Sequence, residues 1–332
     1  MAGLREVAAL AGVSEATASR ALRDLHYVKP ETRKAVRDAA KKLSYGPFAD
    51  FEDDPKKLQA VGVIAPFINR WYFTQALSGA EQALREAGLD LLIYSFSQVK
   101  GREKLFREQL RNSRVVGLLI VSVPPTQEEF EAILNLGVPL SFIGISREGS
   151  ASAGIDDFEG AKIATQHLIN QGHTKIGMIA GSAANQFEFP VPHDRKQGFL
   201  SALEENGIEW NPAHEVMGDF TLATGLLAMD ELLARRDRPT AIFCQSDEMA
   251  IGALKSASRH GLKVPDDISI IGFDDHEMSE YFDLTTIRQP VEQIGEIAAW
   301  QILDQLKSKK ADLKHITLPT QLIVRGSTRK LE

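Results

Sequence analysis

The first residues in the chain whose types and spacing could do chemistry are Ser14, Glu15, Ala16, Thr17, Ser19, Arg20 and Arg23, in the run SEATASRALR. Ala18, Ala21, Leu22 and Leu25 share one apolar face of that run, which leaves small, hydroxylated and basic side chains on the other. An exposed helix face of this kind suits a nucleic-acid groove, where guanidinium forks and short polar groups meet base edges and phosphates.

Two further helices must hold this one. Leu4, Val7, Ala8 and Ala11 fall at i, i+3, i+4 and i+7, and Gly12-Val13 ends that helix. Ser14 is placed to cap the second helix, with Glu15 at its positive end and Val13 and Ala18 able to clasp the turn. Pro30 opens a third helix with Val36, Ala39, Ala40 and Leu43 on one face. This is a helix-turn-helix pattern, and it is equally a small three-helix bundle with no nucleic-acid role. Spacing alone leaves both open.

The chain has 332 residues, 43% apolar and 25% charged, enough for one small domain and one or two larger ones. Its net charge of −7 argues against nucleic acid until it is divided. Residues 1–47 hold nine Lys/Arg against five Asp/Glu, a balance of +4 that leaves −11 for the remainder. Cys244 is the single cysteine, in the apolar run AIFCQ, so no disulfide can form within the chain. No apolar leader and no run of membrane-spanning length is present. The eight histidines are scattered, without zinc spacing, and neither a G-x-S-x-G elbow nor a P-loop occurs. No catalytic residue, metal or cofactor is expected.

Beyond a linker at 48–59, strand-like runs alternate with helical ones. The strand-like runs are 61–67, 90–96, 116–122 and 138–144, then 175–181, 239–244 and 267–273, with short ones at 316–318 and 322–324. Helical patterns include Ala76–Ala87, Asp157–Gln171, Arg195–Asn206, Asp247–His260 and Val291–Leu306. The alternation predicts parallel sheets with right-handed crossovers, in two successive α/β lobes that bind a ligand between them.

AGVSEATASRAL, YVKPETRKAV and LSYGP resemble the DNA-binding headpiece of the lactose-repressor (LacI/GalR) family of bacterial transcription regulators. AGIDDFEGAKIATQHLINQGHTKIGMIAG, DRKQGFLSALEENGI, RPTAIFCQSDEMAIGAL, VPDDISIIGFDD and LTTIRQPVEQIG are similar to that family's effector-binding core. The resemblance implies an all-α headpiece at 1–47 and a periplasmic-binding-protein-like core at 60–330. Lobe one would take about 60–157 and 289–317, and lobe two about 158–288 and 318–330. It also implies a cytoplasmic homodimer that represses transcription from a roughly palindromic operator, with affinity set by a small effector, a sugar. Arg20 would then read a guanine through a bidentate contact; Ser14, Thr17 and Ser19 would touch phosphates or base edges, and Glu15 and Ala16 would set sequence preference.

By the same resemblance Arg195, Phe220, Asp274 and the pair Ser246-Asp247 would face the effector, Ser246 standing where the family commonly has Asn. Tyr72 and Phe73 keep the family's aromatic pair, while Arg70 and Trp71 replace an Asn-Pro. A sugar stacking on Trp71, or an acidic effector group met by Arg70, follows as two alternatives. Asp156, Asp157 and Asp275 are expected to hold loops, and Phe187 and Phe189 to form a lid or plain packing. The linker departs from the family. Phe48 stands at its Asn, and Asp50, Glu52, Asp53 and Asp54 replace its Ala-Arg and wedge Leu. Carboxylates are repelled by phosphates, so the expected linker is an acidic tether, with Phe48 or Phe51 as alternative wedges. Two other readings stay open: a sugar-binding sensor whose DNA recognition this linker weakens, and an enzyme on the same two-lobed fold.

Overall fold

A computed structural model describes residues 4–22, 28–43, 60–96, 98–110, 115–182, 189–308 and 312–331. Arg23, Leu25, the linker with Phe48 and Phe51, and Phe187 lie outside the described residues. The chain divides into two compact units, Met1–Leu58 and Gln59–Glu332.

In the first unit, α1 (Leu4–Leu10), α2 (Glu15–Leu22) and α3 (Pro30–Lys42) close over Val7, Ala8, Ala18, Ala21, Val36, Ala39 and Ala40. The turn between α1 and α2 needs Gly12, whose φ of +65° is disfavoured for side chains with a Cβ. The Val13 amide donates back to the Ala8 carbonyl at 3.0 Å, which closes α1. Ser14 Oγ accepts from the Thr17 amide at 3.2 Å and starts α2.

The second unit runs β1 (Ala60–Ala65), α4 (Trp71–Glu86), β2 (Asp90–Ser95), α5 (Val99–Lys104), β3 (Val115–Val121), α6 (Gln127–Leu134), β4 (Leu140–Ile143) and β5 (Ala151–Ile155). It continues with α7 (Asp157–Asn170), β6 (Ile176–Ala180), α8 (Val191–Glu205), β7 (Glu215–Met217), α9 (Leu222–Leu233), β8 (Ala241–Cys244), α10 (Asp247–Arg259) and β9 (Ser269–Ile271). The chain ends with α11 (Met278–Tyr281), β10 (Thr286–Arg288), α12 (Val291–Lys307), β11 (His315–Leu318) and β12 (Gln321–Ile323). One sheet has the order β11-β5-β4-β3-β1-β2 and another β7-β6-β8-β9, both parallel, while β10 and β12 form an antiparallel pair.

The inner strands β1, β3 and β4 of one sheet and β6 and β8 of the other are buried on both faces, which is why they read as continuous apolar runs, whereas the edge strand β2 leaves Leu92 and Ile93 exposed. Leu119, Val121 and Ile143 face α4 and α12, whereas Leu118, Ile120 and Phe142 face Leu105, Phe106 and Ile133. In the other lobe Ile179, Ile242 and Ile270 face α9 and α10, and Met178, Phe243 and Ile271 face α7 and α8. Gly295 brings α12 against α4 so closely that a Cβ there would overlap the Ala76 carbonyl.

Three strands were not foreseen. β5 is ASAGI, small residues without an apolar period, and is a strand because β4 and β11 pair with it. β7 and β10 have three residues each, too short for a period to register. Two of the helices named above begin earlier than their patterns. α4 starts at Trp71 rather than Ala76, and α8 at Val191, so Arg195 sits inside the helix rather than opening it.

Two buried imidazoles tie the C-terminal segment to lobe two. His167 Nε2 lies 2.9 Å from Thr328 Oγ1. His173 bonds Thr240 Oγ1 through Nδ1 at 2.9 Å and Ser269 Oγ through Nε2 at 3.1 Å. Burial, first among the causes, lowers both pKa values from the usual 6.5. The folded lobe therefore binds fewer protons than the unfolded chain, and this stability is present above pH 6.5 and lost as pH falls through the lowered values. His173→Gln should melt below the parent protein at neutral pH, and calorimetry should show that gap narrowing as pH drops under 6.5. A gap independent of pH would rule out the linkage.

Candidate ligand cleft and nucleic-acid surface

On the first unit, Ser14, Glu15, Ala16 and Arg20 are exposed and Thr17 and Ser19 half-buried, with Ala18 and Ala21 turned into the core. The exposed face of α2 therefore carries one arginine and, in its first turn, one glutamate among small and hydroxyl side chains.

In the second unit the strand order of each sheet reverses beside its first strand, β1 in one and β6 in the other. Ligands bind open α/β sheets in such crevices, at the carboxyl ends of strands. A cavity of about 90 Å³ lies there, lined from both lobes. Lobe one contributes Arg70, Trp71, Tyr72 and Phe73 after β1, Ser122 after β3 and Gly144 after β4. Lobe two contributes Asp157, Phe189, Arg195, Phe220, Ser246, Glu248 and Asp274, with Gln289 from the crossover after β10.

At its floor is Arg195, only 4% exposed. Its Nε donates to Asp157 Oδ1 at 2.7 Å and its Nη1 to the Gln245 carbonyl at 2.5 Å, with Asp274 Oδ1 at 3.7 Å. The guanidinium carbon lies 3.6 Å from the centre of the Phe273 ring. Gln289 Nε2 donates to Asp274 Oδ1 at 2.5 Å. Burial pushes the carboxyls of Asp157 and Asp274 up, and Arg195 opposes this at both. Tyr72, held by Ser122, is pushed up to about 12, first by burial, and is a neutral phenol in the wall.

The backbone is unusual at this cavity. Of five non-glycine residues with positive φ among the described ones, Ser122 (58°), Phe220 (53°) and Asp274 (129°) line it. Such conformations cost free energy and persist where surrounding contacts over-determine them, commonly at ligand sites. Asp274 is held by its amide, which donates to Ile287 O at 2.7 Å, and Phe220 by its ring lying on Gly181.

Of the residues singled out from sequence, Arg70, Trp71, Tyr72, Phe73, Arg195, Phe220, Ser246 and Asp274 come together here. Asp247 does not line the cavity. Its carboxylate accepts from the His276 amide, Ser279 Oγ and Thr286 Oγ1 at 2.9, 2.7 and 2.6 Å, so it ties the start of α10 to α11 and β10. Burial raises it to about 6.

Arg70 and Trp71 reach across the cleft instead of standing open to it. Arg70 donates to Asp219 Oδ2 at 3.1 Å and to the Asp219 carbonyl at 3.3 Å. Trp71 Nε1 donates to Glu277 Oε2 at 2.6 Å, its ring 5.3 Å from that of His276. A carboxylate of this chain thus stands where the acidic-effector alternative would seat a ligand group on Arg70.

Asp156 caps α7, and Asp275 pins Arg288 and Arg325, but Asp157 lines the cavity as well. Among the polar lining side chains, sequence reasoning missed Ser122, Glu248 and Gln289. Its place closing the strand-like run 116–122 was the available signal for Ser122. Among the described residues no group of three or more His, Cys, Asp or Glu could hold a metal ion, and no helix is long and apolar enough to cross a membrane.

Comparison with known proteins matches residues 3–47 to the bacterial regulatory proteins of the lacI family and residues 165–328 to the periplasmic binding protein-like domain. The chain is 36% identical to the HTH-type transcriptional repressor CytR of Escherichia coli (strain K12) over 335 residues, covering 99% of this chain and 97% of that protein. It resembles the transcriptional regulator CelR in its cellobiose complex, with a TM-score of 0.72, 30% identity and coverage of 98% and 100%. It also resembles the lac repressor dimer bound to operator and the anti-inducer ONPF, with a TM-score of 0.73, 27% identity and 99% of each chain covered.

The Arg70 and Asp219 side chains are 23% and 50% exposed, so solvent screens their attraction. A double-mutant cycle with Arg70→Ala and Asp219→Ala, read by thermal unfolding of the core, should give a coupling between about 0.2 and 1 kcal/mol. Strict additivity would mean that the two side chains do not meet in solution.

Proposed function

The chain belongs to the LacI family of bacterial regulatory proteins and is a DNA-binding transcriptional repressor, not an enzyme, and from that premise we propose that a small sugar held between the two lobes sets its affinity for a roughly palindromic operator. The observation that carries this reading is the cavity at both switch points, where a buried arginine–carboxylate group faces aromatic walls. Hydroxyls are met by such paired donors and acceptors, and an apolar ring face by Trp71, Phe73 and Phe220.

The sugar acts by differential affinity. Because both lobes supply cavity residues, a ligand touching both favours the closed arrangement, and closure alters how the headpieces are held. On the headpiece, Arg20 donates its fork to guanine, Ser14, Thr17 and Ser19 meet phosphates or base edges, and Glu15 and Ala16 tune preference. The repressor works as a homodimer in the cytoplasm. Exposed apolar side chains supply the surface for pairing: Leu92 and Ile93 on β2, Leu227 on α9, and Tyr281 and Phe282 at the end of α11. A second reading, a sugar sensor with weakened DNA recognition, is favoured by the acidic residues Asp50, Glu52, Asp53 and Asp54 before the core.

Selection from a random duplex library at two salt concentrations separates the readings. A palindromic consensus is expected, with Arg20→Ala weakening it by about 1–3 kcal/mol and relaxing one base position. A sugar panel against that operator should then contain at least one member that shifts affinity. Sequence-blind, strongly salt-dependent binding would favour the sensor.

Sedimentation velocity tests assembly. The parent protein should sediment as a dimer, and Leu227→Asp with Tyr281→Asp should yield folded monomer. A monomeric parent protein at micromolar concentration would overturn the homodimer.

A further inference from the structure

We propose that the cleft accepts only effectors without an anionic group, and that Glu248 enforces this choice. The inference rests on the effector reading above and narrows the class of ligand to uncharged molecules rich in O–H or N–H donors, the unphosphorylated form of a sugar or nucleoside in place of its monophosphate.

The argument is one of charge already matched. Among the described residues lining the cavity, the cations are Arg70 and Arg195. Arg195 is engaged by Asp157 and the Gln245 carbonyl, and Arg70 by both the carboxylate and the carbonyl of Asp219. Neither brings an uncompensated positive charge to a ligand. Among the described residues three carboxyl groups line the same cavity, Asp157, Asp274 and Glu248. Asp157 accepts from Arg195 and Asp274 from Gln289, whereas the Glu248 side chain forms no hydrogen bond or ion pair among the described residues.

Glu248 lies in the first turn of α10, half-buried, with Arg70 and Glu277 as its charged neighbours. Burial, the largest cause, raises its carboxyl pKa; Arg70 opposes the rise and Glu277 adds to it. An entering phosphate would shed its water beside these carboxylates and find no cation left unmatched among the described residues, so desolvation and like-charge repulsion both oppose it. A hydroxyl or amino hydrogen, in contrast, completes the open acceptor on Glu248. Trp71 lines the same cavity and offers an apolar face for the ring that carries the donor.

Calorimetric titration of the full chain with matched pairs tests this: a panel of neutral sugars and nucleosides, each set against its own monophosphate. Any pair with a binding member should favour the neutral one by about tenfold or more. Glu248→Gln and Glu248→Ala, checked for unchanged melting, should each shrink that ratio severalfold, Gln mainly by improving the monophosphate. A monophosphate that binds as tightly as its neutral partner overturns the proposal. So does a ratio that neither substitution moves, and both results leave the effector reading intact. Binding by no member of the panel is the different failure, since it removes the sugar effector itself.

Discussion

A guanidinium in a site 4% exposed to water must be neutralised where it stands, and the cleft depends on how that is done at Arg195. Leaving such a charge without its partner costs about 3–5 kcal/mol. The fold therefore supplies Asp157 from the start of α7, the Gln245 carbonyl from the end of β8 and Asp274 from the loop after β9. These segments are far apart in sequence, and satisfying one side chain draws them together. Gln289 extends the group to a crossover between the lobes, because its amide donates to Asp274. The polar floor of the cavity and the anchoring of this crossover are thus one set of hydrogen bonds.

The two lobes also touch through side chains on the open side of the cleft. Arg70 with Asp219 and Trp71 with Glu277 are half-exposed contacts, and contacts of that kind contribute little each. Weak contacts suit a sensor. A ligand shifts an equilibrium only by its differential affinity for the two states, so a strongly latched cleft would leave an effector nothing to change. The buried Asp247 network has the opposite character. It fixes one end of the β10 crossover about which the lobes would turn, and three donors hold its carboxylate.

The charge distribution separates two tasks on one acidic chain. The headpiece carries its positive balance beside a helix face of small residues, where close approach to phosphates is useful. The body is strongly negative, which discourages it from lying on DNA. Within the cleft the same excess of carboxylates reappears at small scale, and there it shapes the chemistry of what can enter.

Most of the architecture was legible along the chain because its signals are local. Apolar runs between Gly-closed helices marked the parallel strands, and Gly12 with Ser14 marked the turn between α1 and α2. β5 and β10 were not legible, since ASAGI and a three-residue strand acquire their identity only from the strands beside them. Among the site residues, Arg195 and Asp274 were found through motif resemblance, while Asp157 was read as a loop holder and Glu248 was not considered. The sequence by itself determined the order of modules, the alternation of strand and helix and the basic face of α2, all of which follow from period, capping and charge within short windows. Only the tertiary structure decided that Arg70 and Trp71 meet partners 149 and 206 residues away, that Asp247 turns to β10 and away from the cavity, and that Glu248 lines the cavity without a hydrogen-bond partner among the described residues. Those outcomes depend on which loops the two sheets bring to one crevice, and no local pattern encodes that juxtaposition.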